Sequence, residues 1–146
     1  MTPQTVKQAL AQARLVTDNT EYVVVKLPPR GITAAAGVIA EIGEAFCALI
    51  ADKDEVTLVI PAEAAQDFVT RLPGHVLSPD RYRLITFDIV LDFSLVGFMA
   101  AVSTALAEAG ISILAYGAYS RDHVLVPAVA LDQAMTTLQK LQSSHS

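Results

Sequence analysis

Arg83-Leu84-Ile85-Thr86-Phe87-Asp88-Ile89-Val90, running into Leu91-Asp92-Phe93-Ser94-Leu95-Val96-Gly97, is the stretch from which the fold can be read. Its first eight residues are β-branched and aromatic with partial alternation, the pattern of a strand. Beyond them Leu95, Phe98, Met99, Val102 and Leu106 recur at spacings of three and four, which predicts a helix capped by Ser94 and ended by Gly110. Ile111 to Tyr119 reads as a strand, Ser120-Arg121-Asp122 as a turn and His123 to Val126 as the hairpin partner. Pro127 stops that partner, because proline cannot donate to a ladder. A final helix runs through Leu131, Met135, Leu138 and Leu141, giving the order β-α-β-β-α.

The same order occurs once before. At a constant offset of 66, Val24 falls on Val90, Gly31 on Gly97, Pro61-Ala62 on Pro127-Ala128 and Leu72 on Leu138. The first copy reads as a strand Glu21 to Leu27, a shorter helix Thr33 to Glu44, strands Ala45 to Ala51 and Val56 to Ile60 about the turn Asp52-Lys53-Asp54, and a helix Glu63 to Leu72. Two β-α-β-β-α units predict an α+β protein of two ferredoxin-like units in tandem, each an antiparallel sheet covered by helices on one face. Ahead of them Thr2 can cap, and Pro3 open, a helix with Val6, Leu10, Ala13 and Val16 on one side. The expected division is an N-terminal helix over 1–18 belonging to neither repeat, a first unit over 19–79 and a second over 80–146. The second copy ends at Ser143-Ser144-His145-Ser146, where a fourth strand is due, so its edge needs completion from elsewhere.

Composition narrows the function. With 53% hydrophobic and 17% charged residues in 146, the chain folds rather than remaining disordered. A mean hydropathy of +0.45, carried by 23 alanines, leaves apolar surface for another subunit, so a homo-oligomer, in the simplest case a homodimer, is expected. Ten basic residues against fifteen acidic, with no basic run, exclude a duplex nucleic acid as partner. No eighteen-residue span lacks a charge and Met1-Thr2-Pro3-Gln4 does not open a secretory signal, so neither membrane insertion nor export is expected, and the expected location is cytoplasmic. Cys47, the single cysteine, rules out an internal disulfide and reads as a small buried residue of an apolar strand.

The chain offers little to catalysis. His75, His123 and His145 are far apart, and no metal-binding histidine pair, nucleophile elbow or phosphate-binding glycine run occurs, so no catalytic residue, metal or cofactor is expected. His123 with Asp92 or Asp122 is the one conceivable acid–base set, but neighbouring strand residues point to opposite faces. The passage Leu91 to Gly97 is more informative. A helix start presents unpaired N–H groups and partial positive charge, and glycine lets a ligand come close, so a small carboxylate can be held there. The plain alternative is that Ser94 only caps the helix and Gly97 only lets helix and sheet pack.

The stretch Leu91 to Gly97, then Leu106-Ala107-Glu108-Ala109-Gly110-Ile111-Ser112-Ile113, then Asp122-His123-Val124-Leu125-Val126-Pro127, resembles the second half of small tandem ACT-domain proteins, a family similar to the arginine-sensing ACT proteins of nutrient signalling. The resemblance covers Glu21 to Leu141, and Phe46 to Ile60 looks like the matching piece of a first ACT unit. It implies a non-catalytic regulatory module that binds an amino acid or similar small carboxylated effector at an ACT–ACT interface and signals to a separate protein partner. By that resemblance the effector would touch Asp92, Phe93, Ser94, Leu95, Val96 and Gly97 on the loop, and Ala115, Tyr116, Gly117, Ala118 and Asp122 at the strand end and turn. Tyr116 and Tyr119, at odd strand spacing, cannot both face one pocket. The alternative is a structural dimerisation or protein-interaction module without ligand.

Overall fold

A computed structural model describes residues 2–43 and 45–145. Along the chain the helices are α1 (Val6–Gln12), α2 (Ile32–Ile42), α3 (Ala62–Phe68), α4 (Phe98–Glu108) and α5 (Leu131–Ser143). The strands are β1 (Arg14–Val16), β2 (Glu21–Leu27), β3 (Ala48–Ala51), β4 (Val56–Pro61), β5 (Val76–Leu77), β6 (Tyr82–Asp88), β7 (Leu114–Gly117) and β8 (Asp122–Pro127). Short 3-10 turns at Pro29–Gly31, Val69–Arg71 and Ala128–Ala130 join them. The fold is α+β, with two ferredoxin-like units. One is Thr20–Tyr82, and the other combines the N-terminal residues up to Asn19 with the residues from Arg83 onward.

In the first unit, β2 to β5 form an antiparallel sheet in the order β3-β4-β2-β5. Alternation along β2 sends Val23, Val25 and Leu27 inward, and β4 answers across the ladder with Ile60 opposite Val23, Leu58 opposite Val25 and Val56 opposite Leu27. α2 covers this face with Ala35 and Val38. The expected end of that helix, Glu44, lies outside the described residues. β5, two residues between Pro73-Gly74 and Pro79, is too short to announce itself in sequence.

In the second unit the sheet order is β1-β6-β8-β7. The expected N-terminal helix does not stand apart from the repeats. Ala9 and Leu10 of α1 and its C-cap Ala13 are buried in one core with Phe87, Phe98 and Leu138, because these small or branched residues fall on the inner side of the helix and its end. The chain then extends into β1, which pairs antiparallel with β6, Leu15 opposite Phe87. The missing fourth strand of the second copy is thus supplied by residues that precede the first copy, and Val16 belongs to this strand rather than to the helix.

Two helix starts also differ from expectation. α1 begins at Val6, not behind Thr2 and Pro3, because Thr5 and Gln8 form a reciprocal capping box, each side chain accepting the other's backbone N–H at 3.1 Å. α4 begins at Phe98 with Gly97 as its N-cap, and Ser94 does not cap it. Instead Leu95 N–H donates to Asp92 O at 3.0 Å, closing a turn that carries the chain past Ser94 before the helix starts. α4 ends as expected at Gly110, through a Schellman pair of bonds from Ile111 N–H to Leu106 O (2.9 Å) and Gly110 N–H to Ala107 O (3.0 Å). β7 is shorter than the expected strand Ile111 to Tyr119, since Ala118 N–H turns back to Arg121 O at 3.0 Å.

Candidate functional site

The loop after β6, the first turn of α4 and the turn between β7 and β8 enclose a cavity of about 310 Å³ within the second unit. Three sets of bonds hold these pieces together. Leu91 N–H donates to Ser120 O at 2.8 Å, tying the loop to the turn. The Gln4 side chain bridges the loop backbone, donating to Val90 O at 3.0 Å and accepting from Asp92 N–H at 2.9 Å. Asp88, at the end of β6, pairs with both Arg14 and Arg121 at 2.8 Å.

One wall of the cavity is the α4 start, Gly97 to Ala100. Gly97 has φ +99°, in the left-handed region where a side chain is strained, and no side chain caps the helix. Ala101 N–H is the first to find a partner within the helix, at Gly97 O. The amides of Phe98, Met99 and Ala100 therefore have no helical acceptor, and the helix dipole adds partial positive charge beside them. Asp92 and Asp122 also line the cavity. Burial pushes the Asp122 carboxyl up from its ordinary range, opposed by the neighbouring His123. Phe93 and Tyr119 stand edge to face, centroids 4.8 Å apart, at the mouth, and are 77% and 81% exposed.

Of the residues expected at the site, the structure brings Asp92, Phe93, Leu95, Gly97, Ala118 and Asp122 together on the cavity wall. Ser94 and Val96 are exposed on the same loop. Ala115, Tyr116 and Gly117 lie in β7, opposite Val124, His123 and Asp122. Leu91, Tyr119 and Ser120, from the same loop and turn, also line it, and the lining that sequence reasoning missed is Phe98, Met99 and Ala100. Placing the helix start at Ser94 hid the amides; reading Gly97 as the N-cap is the signal that finds them. Tyr119, not Tyr116, reaches the cavity.

His123 is held by Thr86, whose Oγ1 is 2.8 Å from its Nδ1, and burial pulls its pKa down. The Cys47 thiol is raised by burial, which keeps it protonated. Among the described residues no group of three or more His, Cys, Asp or Glu is placed to hold a metal. Among the described residues no helix is long and apolar enough to cross a membrane either.

The Asp88 clamp yields a prediction. Hydrogen bonds from Arg14 and then Arg121 hold the Asp88 carboxyl below its ordinary value of 3.8. A depressed carboxylate stabilises the fold above the unfolded value, and that stabilisation fades as pH falls through the folded one. Asp88→Asn is expected to lower the urea midpoint at pH 7 and to flatten its fall between pH 5 and pH 2 (about one ordinary carboxylate titration). An unchanged acid limb would mean that the clamp contributes nothing.

The ACT domain family model matches residues 77–140. No curated protein sequence matches the chain. Among solved structures, a Vibrio cholerae protein of unknown function, described as a possible transport protein, is 26% identical with a TM-score of 0.72, over 94% of this chain and 96% of that one. An Agrobacterium tumefaciens protein is 20% identical at TM-score 0.67, over 89% of both chains. The regulatory subunit of aspartate kinase from Thermus flavus is 18% identical at TM-score 0.63, over 87% of this chain and 95% of that one. The last two likenesses show the shared fold alone.

Proposed function

We propose that the chain is a regulatory module whose second unit binds a free amino acid without transforming it. The carrying observation is a cavity in which an uncapped helix start lies beside two carboxylates, Asp92 and Asp122. The α-carboxylate of the ligand accepts from the amides of Phe98 to Ala100, and its ammonium group pairs with the aspartates. Arg121, the cation nearest in sequence, is engaged by Asp88. Two acidic groups therefore favour an amino acid with an additional cation, of the arginine or lysine class, in line with the resemblance to arginine-sensing ACT proteins. The matched ACT domain and the fold shared with an aspartate kinase regulatory subunit support the regulatory reading.

The exposed Phe93 and Tyr119 on the cavity lining, with Val96 exposed on the same loop, favour closure by a second copy, in which case the effector would lie at an ACT–ACT interface of a homo-oligomer. The same rim supports the alternative of an interaction module without ligand. Thermal-shift measurement against the twenty amino acids separates the two. A ligand at a hundred times its Kd adds about 2.7 kcal/mol, so a dose-dependent rise of several degrees is expected with L-arginine or L-lysine. A flat response to all twenty would leave only the scaffold.

A further inference from the structure

The ladder between β1 and β6 ends where Arg14 faces Asp88, because the residues before Arg14 coil into α1. Past that point the edge of the chain at 90–92 is answered by a side chain. The half-buried Gln4 donates from Nε2 to Val90 O at 3.0 Å and accepts at Oε1 from Asp92 N–H at 2.9 Å, the two-bond exchange that a neighbouring peptide group makes in a sheet. Leu91 N–H, between them, goes to Ser120 O at 2.8 Å. The backbone of the cavity loop is thus tied on one side to the β7–β8 turn and on the other to residue 4.

Gln4 is itself held in place. It precedes Thr5, the N-cap of α1, whose reciprocal capping box with Gln8 fixes how the chain enters that helix. Two residues on, Val6 stands at the other end of the loop, where a Cβ on Gly97 would lie 3.7 Å from its Cγ2. The effect converges on Asp92, whose N–H is taken by Gln4 and whose C=O accepts from Leu95 N–H at 3.0 Å. A carboxylate of the cavity wall therefore rides on a residue with both backbone groups engaged. Such a group gives up less freedom when a ligand arrives.

We infer that Gln4 is a positioning residue for the second-unit cavity, and that docking of residues 2–6 and filling of the cavity reinforce each other. The inference rests on the amino-acid reading of that cavity. With Gln4 withdrawn, Val90 O and Asp92 N–H turn to water and the loop spends less time with Asp92 in place, so apparent affinity falls with the competent fraction. By reciprocity a bound ligand holds Gln4 against the loop. The segment ahead of α1 acts as a strap on the site, and whatever draws it away lowers affinity.

Gln4→Met keeps the reach and apolar stem of the side chain and removes both bonds, which separates positioning from packing. Calorimetric titration of the full chain with L-arginine is expected to show about tenfold weaker binding in this variant. Amide hydrogen exchange of the ligand-free chain supplies a readout that a merely structural role would not give. The Asp92 amide should exchange faster in Gln4→Met while that of Leu106, in the core of the same unit, keeps its parent rate; general destabilisation would speed both. In the parent chain, saturating L-arginine should slow exchange at Asp92. Equal affinity in parent and variant, or Asp92 exchange untouched by the substitution, or Leu106 accelerated alongside it, would overturn the inference while leaving the cavity's amino-acid reading standing. A parent chain that binds no L-arginine would instead overturn that reading, and the coupling with it.

Discussion

A chain lacking residues 1–19 is expected to lose the folded second unit, seen as collapse of the dispersed amide and methyl signals of residues 83–145. β6 would lose its partner β1, and the core would lose Ala9 and Leu10 of α1 and its C-cap Ala13. Truncating one buried leucine such as Leu10 to alanine costs about 2–5 kcal/mol, against a typical total stability of about 5–15 kcal/mol. Removing the whole helix and a strand exceeds that margin. The polar seams fail as well: Thr17 Oγ1 donates to Leu84 O at 2.7 Å, Arg83 to Asp18 O, and Gln142 Nε2 to Leu10 O at 3.0 Å. Leu10→Ala in the intact chain gives the graded version, a loss of about 2–5 kcal/mol in urea unfolding. Native-like spectra from the truncated chain would show that the N-terminal segment only decorates the fold.

Gly97→Val is expected to abolish amino-acid binding in the second unit and to lower stability. At φ +99° the left-handed backbone costs an L residue about 1–2 kcal/mol, and β-branching adds to it. The new Cβ would lie 3.7 Å from Val6 Cγ2, with its two methyl groups crowding α1 and the amides of Phe98 to Ala100. Ser94→Ala is the paired control. A capping serine would lose about 0.5–2 kcal/mol on truncation; because Ser94 makes no cap to α4, stability and affinity should both stay near the parent values. Thermal shift with and without L-arginine reads both variants.

Much of the architecture was legible because it is written in short-range patterns. β2 is read at its observed bounds, and β4, β8 and α5 nearly so, since β-branched runs, helical spacing and proline stops are local signals. The errors lie where a distant partner decides. β1 is three residues long and exists only because β6, some seventy residues away, offers an edge. The same holds for Asp88, whose partner Arg14 sits 74 positions upstream and carries no mark in sequence. The candidate site was half legible: the loop and the turn that the ACT resemblance implied do meet, through Leu91 N–H and Ser120 O. Ser94 draws the helix start to itself by its intrinsic capping preference, whereas the closed turn from Asp92 to Leu95 moves the start to Gly97. Met99 and Ala100 therefore read as helix interior rather than as donors.

In the proposed function the amides opening α4 hold a ligand carboxylate beside Asp92 and Asp122. That contact is tested most directly by titrating the ¹⁵N-labelled full chain with L-arginine and following the amides of Phe98, Met99 and Ala100. Saturable downfield movement of these three, lost in Gly97→Val, is the predicted result; saturable binding that leaves them unmoved would contradict it.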